Sequence, residues 1–118
     1  MTKLHLADIQ GFIVRGYNYP LANNLFLVFG NTAAAQQFLE TLLPQVTTAE
    51  SWHEGKPQST VNVAFSHPGL DMLGVPADSL LTFPLEYVEG MRARAAILGD
   101  TGPNAPERWD EVWRQGRV

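Results

Sequence analysis

Leu25-Phe26-Leu27-Val28-Phe29 is the stretch that decides the predicted fold, because every residue in it is apolar. In an extended chain Leu25, Leu27 and Phe29 would lie on one face, and Phe26 and Val28 would lie on the other. A run with two apolar faces is typical of an interior strand that is covered on both sides. We therefore predict a buried strand here and expect the neighbouring segments to cover it.

Helix patterns occupy much of the remaining chain. The most regular runs from Ala35 to Val46, where apolar residues recur at helical spacing after candidate N-caps at Asn31 or Thr32. A second long helix is predicted from about Pro84 to Leu98, with a glycine directly after it as a stop. A short helix is predicted over residues 68–73, with Ser66 as its candidate N-cap. A last helical turn or two is predicted near the C-terminus.

Two further segments have strand character. Thr60 to Phe65 alternates between apolar and polar residues, whereas Thr47 to Trp52 is a weaker candidate. The resulting order is strand, helix, weak strand, strand, short helix and long helix. A split βαββαβ unit would need one more strand after that helix. The predicted fold class is therefore α+β, an incomplete ferredoxin-like half over residues 24–118 that follows an N-terminal arm over residues 1–23.

The strand that this architecture lacks would pair beside Leu25 to Phe29. Its absence would leave an apolar strand edge open, and an open edge is a template for pairing with another chain. We expect this edge to be covered by a downstream domain or by a second copy of the chain. The second case would make the protein a homo-oligomer.

Composition restricts the class of partner. The formal net charge of −4 and the scattered basic residues argue against a nucleic-acid partner. No stretch reaches the roughly 18–20 apolar residues of a membrane span, so no membrane partner is expected. The chain has no cysteine, which excludes disulfides and thiolate metal sites and fits a reducing compartment. We predict a cytoplasmic protein.

Several short stretches carry a family resemblance through their order and spacing. They are Asp8-Ile9-Gln10-Gly11, Asn24 to Phe29, Asn62-Val63-Ala64-Phe65-Ser66, Pro68-Gly69-Leu70, Phe83-Pro84, Glu89 to Ala95 and Leu98-Gly99-Asp100-Thr101-Gly102, with Pro106 and Trp109 behind them. With these stretches the chain resembles the N-terminal region of dye-decolorizing (DyP-type) haem peroxidases. The resemblance extends from residue 8 to about residue 113.

The resemblance implies a haem enzyme of two ferredoxin-like halves that reduces hydrogen peroxide and oxidises dyes or other bulky donors. It also implies a proximal His, a distal Asp in a Gly-x-x-Asp-Gly motif and a distal Arg, all downstream of the matched part. This sequence departs from that pattern, because Gly69-Leu70-Asp71-Met72 places its acid at the wrong offset. Haem is thus the cofactor of the family, and we expect this chain alone to bind none.

Nine side chains of the sequence could carry chemistry, and a structural role is favoured for each: His5, His53, His67, Glu86, Glu89, Arg92, Arg94, Trp109 and Trp113. The histidines could bind haem iron but are expected to be surface or capping residues. The two glutamates complement a helix dipole, and the arginines are expected in solvent rather than on a haem propionate. The tryptophans are expected to fix a terminal helix rather than stack on a ligand. No catalytic, cofactor-binding or metal-binding residue is therefore assigned.

Three functions remain open from the sequence. In the first, the chain is the N-terminal segment of a DyP-type peroxidase and is inactive without the downstream haem-site residues. In the second, it is a truncated relative that acts alone as a dimeric ligand-binding or interaction module. The third, a small independent enzyme, is the weakest because no polar residue has a plausible catalytic partner.

Overall fold

The structure, a computed structural model, describes residues 3–114, and the regular elements in this range are helical. Most of these helices are short, and 3₁₀ turns lie between several of them. The α-helices are α1 (Thr32–Leu42), α2 (His67–Met72), α3 (Ala77–Leu80), α4 (Leu85–Ala93), α5 (Ala95–Leu98) and α6 (Glu111–Arg114). The 3₁₀ turns are Leu6–Asp8, Gly11–Ile13, Leu43–Gln45, Gly102–Asn104 and Pro106–Arg108.

Two compact units divide the described residues. Those within Met1–Asn24 and Phe38–Ala64 form the first unit, and those within Leu25–Gln37 and Phe65–Val118 form the second. The division into an arm over residues 1–23 and a domain over residues 24–118 remains a prediction.

The prediction of an incomplete ferredoxin-like α+β half is wrong for residues 3–114, which contain no β-strand. Their β pairing is limited to an isolated bridge between Gln10 and Thr48. Leu25 to Phe29 is not an interior strand, since Leu25 is 83% exposed and Leu27 is 54% exposed. An apolar run favours an extended backbone, but a strand also needs a neighbour whose backbone groups complete a ladder. The segment that was expected to form an open strand edge is therefore exposed and apolar, but it makes no strand hydrogen-bond ladder.

The side chains of Gln10 and Thr47 and the backbone N–H of Thr47, rather than a neighbouring strand, satisfy the backbone of Val61 and Val63. The Gln10 amide donates to the Val63 carbonyl oxygen at 2.8 Å and accepts from the Val63 N–H at 2.8 Å. The Val61 N–H donates to Thr47 Oγ1 at 3.1 Å, and the Thr47 N–H donates to the Val61 carbonyl at 2.9 Å. These bonds take the place of the regular ladder that the two other predicted strands would require.

The first predicted helix is confirmed as α1. Asn31 caps it, since its Oδ1 accepts the N–H of Ala34 at 2.9 Å. α-Helical bonding ends at Leu42, and the 3₁₀ turn Leu43–Gln45 follows. Pro44 lies within that turn and has no N–H to donate, so it limits the helix as predicted.

The second long helix is interrupted, contrary to the prediction of one continuous element. Gly90 lies inside α4 with φ 72° and ψ 175°, and Arg94 separates α4 from α5. Glycine reaches positive φ without the steric cost of a Cβ, so the backbone changes direction at this position. Gly99 then ends α5 in the left-handed conformation at φ 81°, where the stop was predicted.

Little apolar surface is buried within the described residues. The buried hydrophobic side chains there are Ala35, Ala49, Leu80 and Ala95. Three of these four are alanines, although a domain of this size ordinarily buries about two thirds of the surface of its unfolded chain. Many larger apolar side chains remain exposed. The chain thus presents apolar surface that contact with another polypeptide would remove from water.

Candidate functional site: an apolar hollow beside His67

An apolar hollow of about 420 Å³ lies in the second unit. Helices α2, α3 and α4, together with the loop between α3 and α4, supply its walls. The lining residues are His67, Ala77, Leu80, Leu81, Phe83, Leu85 and Val88. His67 is the one polar side chain among them, so the hollow combines an apolar wall with a single imidazole.

The start of α2 fixes the position of His67. Ser66 is the N-cap, and its Oγ accepts the N–H of Gly69 at 3.3 Å. Pro68 follows in the first turn, where its missing N–H removes no helical hydrogen bond. His67 is therefore the first residue of the helix, as the prediction of a short helix after Ser66 implied.

Two aromatic rings hold the imidazole of His67. The ring centroid of Phe83 lies 6.4 Å away and that of Tyr87 lies 6.0 Å away, both in edge-to-face orientation. The ring centroids of Phe83 and Tyr87 are themselves 4.9 Å apart. The hydroxyl of Tyr87 donates to the Phe65 carbonyl oxygen at 2.6 Å, and burial raises the pKa of Tyr87 above its ordinary value. This bond anchors the aromatic group to the segment before α2.

The lining of the hollow is suited to binding an apolar group. General acid–base catalysis needs an imidazole with a positioned partner and a reacting group within hydrogen-bond reach. The imidazole of His67 contacts the rings of Phe83 and Tyr87. The hollow is therefore suited to an apolar group that fills the space between Leu80 and Leu85.

Haem does not fit the donor set of this hollow. The resemblance implies a histidine, an aspartate and an arginine around the haem, whereas the hollow offers the imidazole of His67 and apolar side chains. Asp71, four residues further along α2, is exposed to solvent. Among the predicted haem-ligand candidates, His67 is the one that lines this hollow.

The other two histidines lie away from this hollow. His5 forms an ion pair with Asp8 at 3.0 Å, and both side chains are about four-fifths exposed. His53 lies exposed in a turn. Among residues 3–114 no group of three or more His, Asp or Glu side chains is arranged to hold a metal ion.

Arg94 forms ion pairs with both glutamates that the sequence singled out, Glu86 and Glu89. The Arg94 guanidinium lies 3.0 Å from the Glu89 carboxylate and 3.9 Å from that of Glu86. The side chain of Arg94 is only 18% exposed, so the predicted solvated position is wrong for it. These three residues form an ion-pair cluster across the kink at Gly90. Its role is structural, because each charge has an opposite partner.

Arg92 and the two tryptophans make separate contacts. Arg92 pairs with Glu107 at 3.9 Å. The indole N–H of Trp109 donates to the Asn104 carbonyl oxygen at 2.9 Å. Trp113 packs edge-to-face on Phe26 with ring centroids 4.6 Å apart. Each tryptophan thus has its own partner, which fits the predicted role of fixing the C-terminal segment.

Sequence reasoning missed the hollow itself. Its walls depend on α3, a four-residue helix that the sequence analysis did not predict. The spacing of Phe83 and Tyr87, four residues apart, was an available signal for a shared aromatic group. No helix in the described range has the length and apolar character required to cross a bilayer.

Comparison with known proteins places this chain in a family. A family model described as "DyP dimeric alpha+beta barrel domain" matches residues 8–118. A dye-decolorizing peroxidase from Mycena epipterygia is 31% identical over 120 residues, which is 98% of this chain and 21% of that protein. The chain therefore spans about a fifth of the length of this relative. No solved structure matches. The resemblance seen in the sequence is confirmed, and the chain belongs to the DyP family of dimeric alpha+beta barrel domains.

Proposed function

We propose that the chain is the N-terminal segment of a dye-decolorizing haem peroxidase. The whole protein would oxidise dyes or other bulky donors with hydrogen peroxide. The observation that carries this proposal is the match of nearly the whole chain to about a fifth of a dye-decolorizing peroxidase. The haem and the residues that hold it would belong to the remaining four-fifths, and the chain alone would be inactive.

The exposed apolar surface supports a role as one part of a larger protein. Leu25, Leu27 and Val28 are each more than half exposed, although such a run is typical of protein interiors. Leu81 and Leu85 at the His67 hollow are also largely exposed. We infer that apolar side chains of the remaining polypeptide cover both surfaces. Burial of this surface would stabilise the whole folded protein by about 25 cal/mol per Å² of apolar area.

A chimera tests this proposal directly. The matching N-terminal segment of the Mycena epipterygia peroxidase is replaced by this chain, and Soret absorbance and peroxide-dependent dye decolouration are measured. The expected result is a haem-loaded, active chimera. The control, a variant with the segment deleted, should lose both signals. This chain alone, incubated with haem and then desalted to remove free haem, should give neither.

Two results would contradict the proposal. One is dye decolouration by this chain alone after incubation with haem and removal of free haem, above the rate of a protein-free control. The other is a folded chimera that takes up no haem, since a segment that belongs to this enzyme should support the same site. The predicted cytoplasmic location stays a prediction.

A second candidate function is a dimeric interaction module. The domain family to which the chain belongs is described as dimeric, and the exposed Leu25 to Val28 segment offers a surface for a second copy. Under this candidate, sedimentation of the isolated chain would give a dimer. Leu27→Asp would then produce monomers, whereas Leu21→Asp, at a site 87% exposed in the first unit, would leave the dimer intact. A monomeric wild-type chain would exclude this candidate.

A further inference from the structure

Aromatic and cationic side chains come together in the first unit. The five residues are Arg15, Tyr17, Tyr19, Trp52 and Lys56, and we call them the aromatic patch. Lys56 is exposed and the other four are partly exposed, so the patch is open to solvent. None of the five lines the His67 hollow, so a ligand of the patch would bind independently of the hollow.

The three rings of the patch are neighbours but do not share one plane. Tyr17 and Trp52 have ring centroids 5.5 Å apart and are inclined by 33°. Tyr17 and Tyr19 have centroids 6.3 Å apart and are inclined by 61°. A rigid flat molecule cannot face all three rings at once. An oligosaccharide can, because it turns at each glycosidic bond and presents successive sugar rings in different orientations.

Two cations lie at opposite ends of this row of rings. The Arg15 guanidinium carbon is 5.1 Å from the centroid of the Trp52 ring. The Lys56 ammonium is 4.0 Å from the centroid of the Tyr19 ring. Tyr17 lies between these two rings and has neither cation over it in the described contacts. The patch therefore suits a ligand whose negative charges are on separate units rather than on one group.

Backbone carbonyls hold both cations without neutralising them. Arg15 donates to the carbonyl oxygen of Ala49 at 2.6 Å and to that of Glu50 at 3.2 Å. Lys56 donates to the carbonyl oxygen of Asn18 at 2.9 Å. Within residues 3–114 neither cation takes part in an ion pair. A carbonyl carries no net charge, so both side chains retain their attraction for a carboxylate.

The two tyrosines of the patch are fixed in position. The hydroxyl of Tyr19 donates to the carbonyl oxygen of Pro57. The hydroxyl of Tyr17 is buried and lies against Gly11, where a Cβ would approach it to 2.3 Å. A platform that is already rigid loses little entropy when a ligand binds to it.

We propose that the aromatic patch binds acidic oligosaccharides, namely short chains of uronic acid residues. The C–H groups of a sugar ring carry a small positive charge and pack on the negative face of an aromatic ring. One carboxylate would pair with Lys56, and the carboxylate of another sugar residue would pair with Arg15. The net charge of −4 does not prevent this, because charges further away are screened over about 10 Å. This inference goes beyond the proposed peroxidase function and needs neither haem nor peroxide.

Calorimetric titration of this chain with trigalacturonate tests the charge part of the proposal. Lys56→Gln should weaken binding about fivefold, the loss expected when one cation–carboxylate contact is removed. Lys3→Gln is the matched control, because it makes the same charge change at an exposed residue outside the patch, and it should leave the affinity unchanged. Added salt should weaken binding to the wild type more than binding to Lys56→Gln.

A series of related ligands tests which features of the saccharide are recognised. Galacturonate, the single sugar, should bind at least about tenfold more weakly than the trimer, because it cannot reach both cations at once. The methyl-esterified trimer has the same sugar rings without charge and should bind at least about fivefold more weakly. Triglutamate with blocked ends has three carboxylates without sugar rings and should also bind at least about fivefold more weakly.

A pair of tryptophan variants tests the stacking part. Trp52→Leu should weaken trigalacturonate binding at least about fivefold, because leucine offers no aromatic face to a sugar ring. Trp113→Leu, at a tryptophan of the second unit, should not weaken it. Circular dichroism shows whether each variant is folded. If Trp52→Leu is unfolded, Lys56→Gln and the ligand series decide the proposal without it.

Three outcomes would overturn the proposal. They are an equal loss of affinity in Lys56→Gln and Lys3→Gln, binding of blocked triglutamate as tight as that of trigalacturonate, and no binding of trigalacturonate at millimolar concentration. Failure of the peroxidase chimera would not change any of these measurements, because they use this chain without haem. The two proposals can therefore fail separately.

Discussion

Replacing Gly11 with alanine should destabilise the first unit, whereas the same replacement at Gly16 should not. A Cβ at Gly11 would lie 2.3 Å from the Tyr17 hydroxyl and 2.5 Å from the Thr48 carbonyl oxygen. The tyrosine could move, but the carbonyl belongs to the backbone of the segment bonded to Gly11. The Gly11 N–H donates to the Thr47 carbonyl at 2.9 Å, so a shift that relieves the clash also strains this bond.

The size of this effect follows from the cost of overpacking. Extra methyl groups forced into a filled site typically cost about 1–3 kcal/mol. For a chain of this length each kcal/mol lowers Tm by roughly 4 °C, so Gly11→Ala should lower Tm by about 4–12 °C. Apart from Gly16 and its two chain neighbours, no residue has an atom within 4 Å of a Cβ at Gly16. Gly16→Ala should therefore be neutral or stabilising by up to about 1 kcal/mol.

Thermal unfolding followed by circular dichroism and by tryptophan fluorescence measures both variants. The fluorescence of Gly11→Ala should also change below the transition, because Tyr17 packs on Trp52. Equal Tm values for Gly11→Ala and Gly16→Ala would refute the close approach of Gly11 to Thr48. They would also remove the basis for the position of Tyr17 beside Trp52.

Three further predictions concern the second unit. Leu27→Asp should change the unfolding free energy of the isolated chain by no more than about 0.5 kcal/mol in urea titrations, because Leu27 is largely exposed; a loss of 3 kcal/mol would indicate a buried site. Ser66→Ala should cost about 1 kcal/mol in the same assay by removing the cap on Gly69, with Ser59→Ala as a neutral control; equal values would argue against the cap. Burial raises the pKa of Tyr87 above 10.0, so the folded state favours the neutral phenol; this stabilisation is present below pH 10 and is lost as pH rises through the folded pKa. Ultraviolet titration of the wild type and Tyr87→Phe would detect it, and equal alkaline stability of the two would count against it.

Helix ends were the part of the fold that the sequence predicted well. The cap at Asn31, the cap at Ser66 and the stop at Gly99 each depend on residues within a few positions of one another. The conformational preferences of these residues are local, so a single sequence contains most of the required information. The kink at Gly90 was missed because a glycine inside a helical pattern is often tolerated.

Strands could not be predicted as reliably, because a ladder needs a second segment. The Val63 backbone is satisfied by the side chain of Gln10, 53 residues earlier in the chain. Nothing in the alternation of Thr60 to Phe65 indicates that a side chain would take this place. Likewise, an apolar run such as Leu25 to Phe29 predicts burial without specifying what covers it.

Prediction of the candidate site from sequence was limited for the same reason. Family membership was available from the order of several short stretches, although none of them is specific alone. The His67 hollow was not available, because its lining comes from three helices and from the loop between α3 and α4. The packing of these elements against one another is not visible in the pattern of any one of them.

Amide hydrogen exchange at Leu25 to Val28 tests the central claim most directly, namely that apolar surface of this chain is covered by polypeptide outside it. In the described structure these four residues lie exposed and outside any helix or strand. Their amides should exchange rapidly in the isolated chain and should be protected in the active chimera. Rapid exchange at these four amides in a folded, haem-loaded chimera would contradict the claim, and so would strong protection in the isolated monomer.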